Sequence, residues 1–538
     1  MTHKYIKLGF LSLLVASCSL IISLDKKYNH SSHNYGKKDF SIIYSHSIMG
    51  ETHPCGCRHF PLGGLPQVAG LFHELKEKKD IFYIDTGDTL FPTPVIPKHI
   101  SKSARFGALN LARGLDKLGL KYMLIGDNDL ALGFDFLNEL KKEVSFEFLI
   151  SNLKDDKVLT HKKYATIELE GKKIFLVALV KRDLMPFKYQ KYFTPMEQAM
   201  DKALKDIKEL GFEKENKNHQ LIVLSHSGIK ADEVFAEKYP RIDWIIGSHS
   251  QSFTNFSYDV GETRIVQVLS KNHYLGEVKL AYTGSKKEAY AYHEIRDELH
   301  LKIPDNPFHA YIQEHKTTLE KIRDDEQKAF SNFSSSNEKL KTAASCIECH
   351  TPQGEKWMKT AHSISYHTLV QANERNNTAC IKCHSVGLGD KNGFVNVNDM
   401  VLFENRKTDQ KTRDLYWKEV ANAFGKDVGS IRKLSEKKRM ALSKKWLKID
   451  KKFAVEHNFS NVQCLNCHDQ HMDHPFHISN KPAPSRSEKM NKITKNCLNC
   501  HTSEQSPEWY KKNDRGLYDG PNQKYVQEMI KKVACPLN

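Results

Sequence analysis

The sequence predicts two folded units in series: an α/β domain over residues 40–300 and a mainly helical, loop-rich unit over residues 344–538. Three observations predict this. Short apolar runs alternate with helical stretches through the first unit, and the second carries Cys-x-x-Cys-His four times. A chain of 538 residues is also too long for one compact domain, while 39% apolar residues can fill a core in each of two or three. With 27% charged residues, a multispanning membrane protein is excluded, because each span needs about 20 nearly uncharged residues.

Residues 1–24 read as an export signal rather than as fold. "MTHKYIKLGFLSLLVASC" places Lys4 and Lys7 before an apolar run from Leu8 to Val15, with small residues ahead of Cys18. The "VASC" ending resembles a bacterial lipobox, which implies that Cys18 is diacylated and anchors the chain to a membrane. A plain signal, or an uncleaved anchor running to Leu24, is the alternative. Each version puts the chain on the periplasmic side of the cell envelope, and Ser19 after the cysteine favours the outer membrane. Residues 25–39 read as a polar linker.

Within 40–300 the expected strands are "FSIIYSH", "IFYIDTG", "KYMLIG", "FEFLISNL", "KKIFLVALV", "QLIVLSHSG", "DWIIGSHS", "RIVQVLS" and "GEVKLAY", with helices such as Leu65 to Lys79 between several of them. Their polar ends are "YSHSIMG", "DTGD", "GDND", "LSHSG" and "GSHSQ", as expected for a site at strand C-termini.

In order, those ends resemble the five blocks of the calcineurin-like metallophosphoesterases, close to the 5′-nucleotidase branch, and "CGCRHFPLGGL" and "DWIIGSHS" strengthen the match. The resemblance implies a metallophosphoesterase-like sandwich and a site for two metals around a shared aspartate. Carried over residue by residue it is uneven. Ser47 stands for a ligand aspartate, Met49 for a histidine, Asn128 for the histidine that assists the leaving group and Gln251 for the final histidine. The resemblance leaves Asp88, Asp127, His226 and His249 as a single-ion set, whose carboxylates and imidazoles suit zinc, manganese or iron. A two-metal hydrolysis is then unavailable.

Cys55 and Cys57 lie between His53 and His59. They match a zinc set, a Cys-x-Cys disulfide or a pair of free thiols equally well. Residues 301–343 read as a helical linker, and nothing in them resembles a nucleobase pocket.

The four motifs are Cys346-Ile-Glu-Cys349-His350, Cys380-Ile-Lys-Cys383-His384, Cys464-Leu-Asn-Cys467-His468 and Cys497-Leu-Asn-Cys500-His501. Each is a c-type haem attachment sequence: two thiols form thioethers to the porphyrin and the adjoining histidine becomes the proximal iron ligand. Zinc ribbons also use Cys-x-x-Cys, but do not require a histidine after the second cysteine. Histidine is 27 of 538 residues, so four such histidines by chance have a likelihood of roughly one in 10⁵. Four covalent c-type haems are expected.

The segment from "CIECHTPQGEKWMKTAHS" through "NTACIKCHSVG" to "NVQCLNCHDQHMDH" resembles the multihaem cytochrome c-554 family, over about residues 344–505. The resemblance implies His362 and His474 as distal haem ligands. His367, His457, His471 and His477 are the other histidines available. Asp469 and Gln470 replace the family's glycine and proline after the third motif.

A basic helical insertion is expected over residues 401–455, where 16 Lys and Arg face 7 Asp and Glu, a surplus of nine against sixteen for the whole chain. An exported protein without a recognition motif does not suggest nucleic acid as the target. The surplus reads as a docking face for an acidic redox partner or as a solvated helical surface.

The reading is an exported, membrane-anchored tetrahaem cytochrome for electron transfer, carrying a non-catalytic phosphoesterase-like module. The alternatives are a redox-coupled single-metal phosphohydrolase and a multihaem oxidoreductase acting on a small nitrogen compound.

Overall fold

The computed structural model describes residues 27–35, 39–54, 61–169, 171–280, 289–329, 339–404, 410–425, 431–468, 485–503, 505–513 and 518–536. Cys18, Cys55, Cys57, His59, His471, His474 and His477 lie outside the described residues.

The first unit is a sandwich of two sheets. The strands are β1 (His30–Asn34), β2 (Phe40–Ser45), β3 (Asp80–Asp85), β4 (Leu120–Met123), β5 (Glu147–Phe148), β6 (Tyr164–Leu169), β7 (Lys172–Val180), β8 (His219–His226), β9 (Trp244–Ile246), β10 (Tyr258–Val260), β11 (Thr263–Val266), β12 (Tyr274–Leu280) and β13 (Ala289–Glu294). One sheet runs β1-β6-β7-β8-β9-β11-β10 and the other β13-β12-β2-β3-β4-β5. The central pairs β2–β3, β3–β4, β7–β8 and β8–β9 are parallel.

Burial explains why "KKIFLVALV" is apolar without alternation. Ile174, Leu176, Ala178 and Val180 face the core between the sheets, while Phe175, Val177 and Leu179 face a second core under the helices Met196–Glu209 and Ile229–Lys238. A strand covered on both faces carries an unbroken apolar run.

One expectation is corrected. Residues 30–34, read as part of a polar linker, form β1 and pair in parallel with β6 from His30↔Tyr164 to Asn34↔Glu168. "HSSHN" looks like linker because it lacks apolar residues. At a sheet edge the backbone pairing suffices, and the polar side chains find partners: His30 Nε2 lies 3.0 Å from Thr166 Oγ1, and His33 Nε2 2.8 Å from the Tyr122 hydroxyl. Residues 301–343, read as a helical linker, do carry a helix, and it packs against the first unit. The helix Pro307–Ala329 inserts Phe308 and Ile312 into the main core, and Tyr311 donates to the Asn110 carbonyl. The helix expected over Leu65 to Lys79 ends at Lys76.

The second unit has short helices around a smaller core. In the insertion the helices Gln410–Phe424 and Glu436–Lys452 lie between β14 (Val401–Phe403) and β15 (Val455–Asn458), which pair antiparallel. Trp446, Tyr416 and Phe424 are buried there. The hydroxyl of Tyr416 donates to Asp450 at 2.6 Å, and Trp446 Nε1 donates back to Tyr416 at 2.8 Å. Among the described residues no helix is long and apolar enough to cross a membrane.

The Pro307–Ala329 helix joins the units. Its Arg323 pairs with Glu374 at 2.6 Å, its Glu320 accepts from Asn376 at 2.8 Å, and its Gln327 Oε1 accepts from the Val397 amide at 3.2 Å. His53 of the first unit reaches the same Glu374 at 3.3 Å. Burial alone would raise the Glu374 carboxyl, but the bond to His53 and the Arg323 charge hold it down at about 2.

A carboxylate depressed in the fold stabilises above its unfolded pKa, about 4.3, and that contribution is lost as the pH falls through the folded value. Removing one partner of such a buried pair costs about 3 kcal/mol or more. Glu374→Gln should therefore destabilise the chain to urea at pH 7. The gap between variant and parent should narrow as the pH falls from 6 to 3, whereas a gap independent of pH would deny the ion pair its role.

Candidate metal centre and haem attachment sites

Asp88, Asp127, His226 and His249 come from four strand ends spread over both sheets: Asp88 follows β3, Asp127 follows β4, His226 closes β8 and His249 follows β9. Each offers one ligand atom, and the four atoms lie within 4.8 Å of one another. His226 Nε2 is 3.6 Å from Asp88 Oδ2 and 3.2 Å from Asp127 Oδ1, and His249 Nδ1 is 3.2 Å from that same oxygen. Ligands about 2.0–2.1 Å from a tetrahedral ion stand about 3.3 Å apart, so these separations suit one small cation.

The electrostatics agree with the geometry. Burial pushes the Asp88 carboxyl up, as does the nearby Asp127. Burial opposes ionisation of Asp127 too, but His226 and His249 outweigh it and hold the carboxyl well below the usual range. Burial opposes the charge on His226, yet Asp88 and Asp127 raise it to about 9. His249 Nδ1 is buried without hydrogen-bond geometry to any partner, although Asp127 lies close. A divalent cation bonded to all four atoms would satisfy that nitrogen and balance both carboxylates, so the donor set fits the implied ion.

Asp129, which the sequence reading missed, organises the loops. Its buried carboxylate accepts from the amides of Gly126, Asp88, Thr89 and Leu90 at 2.8–2.9 Å. The Asn128 amide donates to Asp88 Oδ1 at 2.9 Å, which ties the ligand to the second loop. A Cβ on Gly126 would fall 2.2 Å from that oxygen, so only glycine fits there. The two acids of the "GDND" stretch look alike in sequence, and burial separates Asp127 from Asp129.

Asp88 and His249 have φ of 60° and 73°, and Ser47, Met49 and Gln251 have φ of 48°, 58° and 49°. Left-handed backbone at non-glycine residues costs energy and clusters at functional sites. The last three residues carry no strong metal donor. Gln251 Nε2 lies 4.0 Å from Met49 Sδ, and Ser47 Oγ lies 3.0 Å from Nδ1 of its neighbour His46.

All twelve motif residues are described. Cys346 and Cys349 lie on the helix Ala343–Cys349, Cys380 and Cys383 on Thr378–His384, and Cys464 and Cys467 on Cys464–Cys467. On a helical turn residues three apart share a face, which presents both thiols to one porphyrin edge. His384 Nδ1 donates to the Ser365 carbonyl at 2.8 Å, which fixes the tautomer with the lone pair on Nε2. His501 Nδ1 lies 2.9 Å from Ser506 Oγ, and its ring stacks on Trp509 at 4.1 Å. The haems implied by the motifs thus fit residues already oriented to receive them.

Thiols of different motifs also meet in pairs: Cys346 with Cys464, Cys467 with Cys497 and Cys383 with Cys500. In space the motifs therefore run first, third, fourth, second. Among the described residues they form no cluster of three or more ligands of the kind zinc needs. Of the candidate distal histidines, His362 lies on the 3₁₀ turn Ala361–Ile364, where its carbonyl accepts from the Val462 amide at 3.2 Å, just ahead of the third motif. His474 lies outside the described residues.

Residues 345–405 match the family model of cytochrome c554 and c-prime. The N-terminal half is similar to the 5′-nucleotidase of Bos taurus, 22% identical over 280 residues that make up 46% of this chain and 46% of the relative. The chain thus spans less than half the length of that relative. Among solved structures it is similar to the sulfate thiohydrolase SoxB of Thermus thermophilus in complex with glycerol, with 17% identity, a TM-score of 0.43, and coverage of 52% of this chain and 61% of that one. It is also similar to the calcineurin-like phosphoesterase YfkN of Bacillus subtilis, with 19% identity, a TM-score of 0.42, and coverage of 53% and 99%.

Gly126→Ala should displace Asp88 and lower the content of zinc, manganese or non-haem iron in the purified chain, as should His249→Ala. Haem absorbance should stay unchanged in both. Metal analysis that finds parent levels in either variant would exclude this cluster as the ion site.

Proposed function

We propose that this chain is an exported, membrane-anchored tetrahaem cytochrome that transfers electrons, and that its phosphoesterase-like domain holds one ion without hydrolysing phosphate esters. The observation that carries the reading is the contrast between the two units. Twelve residues of four complete attachment motifs are present, whereas the four-atom cluster in the first unit is served by no second set of ligands at Ser47, Met49 and Gln251.

Covalent haem supplies one-electron chemistry. The protein's part is to hold the groups close together and to exclude water, and the pairwise meeting of thiols from different motifs supports a continuous path. The second and fourth motifs also approach the ion-binding domain. Cys383 feels the charge of Lys271, whose amide donates to the Ser47 carbonyl at 2.9 Å. Beyond the fourth motif, the Tyr510 hydroxyl donates to the His501 carbonyl at 3.0 Å, and Lys512 lies 4.8 Å over the ring of Phe253. These contacts support a scaffold role in which the phosphoesterase-like domain braces the haem region.

The lysines of the helices Gln410–Phe424 and Glu436–Lys452 form the proposed docking face for an acidic redox partner, where charge would raise the encounter rate. Cys18 is the proposed lipid anchor.

In hydrolysis the ions activate water and an acid protonates the leaving group. Asn128 cannot act as a protonated imidazole, and that loss alone costs roughly 10²- to 10⁴-fold in rate. The purified chain should give about four haems in a reduced pyridine haemochrome assay, with haem that stays on the protein in acidified solvent. On nucleotides and a bis-aryl phosphodiester with manganese, zinc or iron it should show no metal-dependent turnover. Turnover within tenfold of an active two-metal phosphoesterase, abolished by Asp88→Ala, would instead establish a single-metal hydrolase, the reading that the intact four-ligand cluster favours next.

A further inference from the structure

The end of the first unit that carries the ion cluster also turns two large apolar side chains to solvent. Val95 is 72% exposed and Phe187 is 90% exposed. Val95 lies on the loop after β3, and Phe187 opens the short helix Phe187–Gln190 in the loop after β7. Because β3 runs parallel to β4 and β7 to β8, both loops emerge where the ligand-bearing strands end. They rest on one support, the helix Gly133–Lys141. Phe91 of the first loop packs on Phe136 at 5.4 Å, and Tyr189 and Tyr192 of the second pack on Phe134 at 5.3 and 5.4 Å. A single exposed apolar residue is ordinary, but apolar tips gathered on adjoining loops mark a contact surface.

The tips are held out by their own backbones. Pro92, Pro94 and Pro97 stiffen the chain around Val95, and Thr93 Oγ1 donates to the Val95 carbonyl at 2.9 Å. In the second loop, Lys154 Nζ from the loop after β5 donates to the Lys191 carbonyl at 3.1 Å. The surroundings are basic: residues 89–100, 149–163 and 181–195 hold nine lysines and arginines and three aspartates. Lys188 and Lys191 lie 4.6 and 4.9 Å over the rings of Tyr189 and Tyr192. Apolar tips, then tyrosine rings, then ammonium groups match a phospholipid surface, which offers acyl chains, an interfacial layer and anionic headgroups.

The course of the chain supplies the occupant. His30 pairs with Tyr164 and Tyr164 with Val177, so β1 enters its sheet towards the end where β7 leaves it. Asn29, just ahead of β1, is bonded to the loop after β5: its carbonyl accepts from the Lys163 amide at 2.9 Å, and its Nδ2 donates to the His161 carbonyl at 2.8 Å. Cys18 stands twelve residues before His30, a span of at most about 40 Å. A lipid anchor at Cys18 therefore keeps a membrane within reach of this end.

We propose that the loops 89–100 and 181–195 dock on an anionic phospholipid surface, with Val95 and Phe187 among the acyl chains and the lysines on the headgroups. This rests on the membrane-anchored reading above and adds an orientation to it: the end that carries the ion cluster faces the lipid.

The test is co-sedimentation of the full chain with vesicles, measured as protein in the pellet. The Cys18→Ser chain serves as parent, so that no acyl chain of its own contributes. It should bind vesicles of phosphatidylglycerol mixed with phosphatidylcholine, bind phosphatidylcholine alone several-fold less, and release as salt rises, because salt screens the headgroup charge. Val95→Ser combined with Phe187→Ser should lower binding roughly tenfold or more, the effect of withholding two apolar side chains from the acyl layer. Phe187→Trp should retain binding. Leu301→Ser, at a residue 70% exposed elsewhere in the unit, should leave it unchanged. Equal binding by the serine variant and its parent, or no binding to either vesicle, overturns the proposal. So does self-association of the parent that the serine variant loses while vesicle binding persists, which would give the face to a second copy of the chain. Lipid labelling of Cys18 is read separately: its absence overturns the anchor, and the serine variant still decides the face.

Discussion

Two carboxylates brought together in a half-buried cluster dictate the organisation of the first unit. Asp88 and Asp127 approach because parallel strands of one sheet end side by side, and their charge is met by His226 and His249 from the other sheet. Every nearby device serves that meeting. Asp129 gathers four amides and sets the two loops, Gly126 leaves room for the Asp88 oxygen, and Ser248 donates to the Thr86 carbonyl at 2.6 Å while its hydroxyl oxygen lies 2.8 Å from His226 Nδ1. So many fixed contacts explain how Asp88 and His249 are held in left-handed backbone. The same backbone at Ser47, Met49 and Gln251 holds side chains that carry no strong metal donor, beside the one four-ligand cluster found among the described residues.

The sequence made the strands legible where burial on both faces writes an apolar run, as in "KKIFLVALV", and the site legible where polar residues close those runs. It concealed what depends on distant partners. "HSSHN" has no apolar residue to mark it as a strand, because its pairing is a backbone matter at a sheet edge. The Pro307–Ala329 helix is polar in composition, and Phe308 and Ile312, with Tyr311 packed beside them, commit it to the core. Asp129 and Asp127 differ in burial rather than in local pattern.

The two units are linked by charge as well as by chain. Glu374 receives Arg323 from the joining helix and His53 from the first unit, so one buried carboxylate binds three segments. Nearby Glu320 is pushed up to about 7, by burial first and by Glu374 as well, against the pull of Arg323 and Arg375. Lys271 lies near enough to the second motif for its charge to act on Cys383, and beyond the fourth motif Lys512 sits over the ring of Phe253. This junction ties the two units together through named side chains.

Native mass spectrometry of the intact, purified chain tests the central claim most directly, since it counts covalent haems and bound ions in the same particle. The account predicts a mass increase of four haems that survives denaturation, together with a single divalent ion that is lost on denaturation and absent from Asp88→Ala. Two bound ions in the folded chain, or zinc in place of covalent haem, would contradict it.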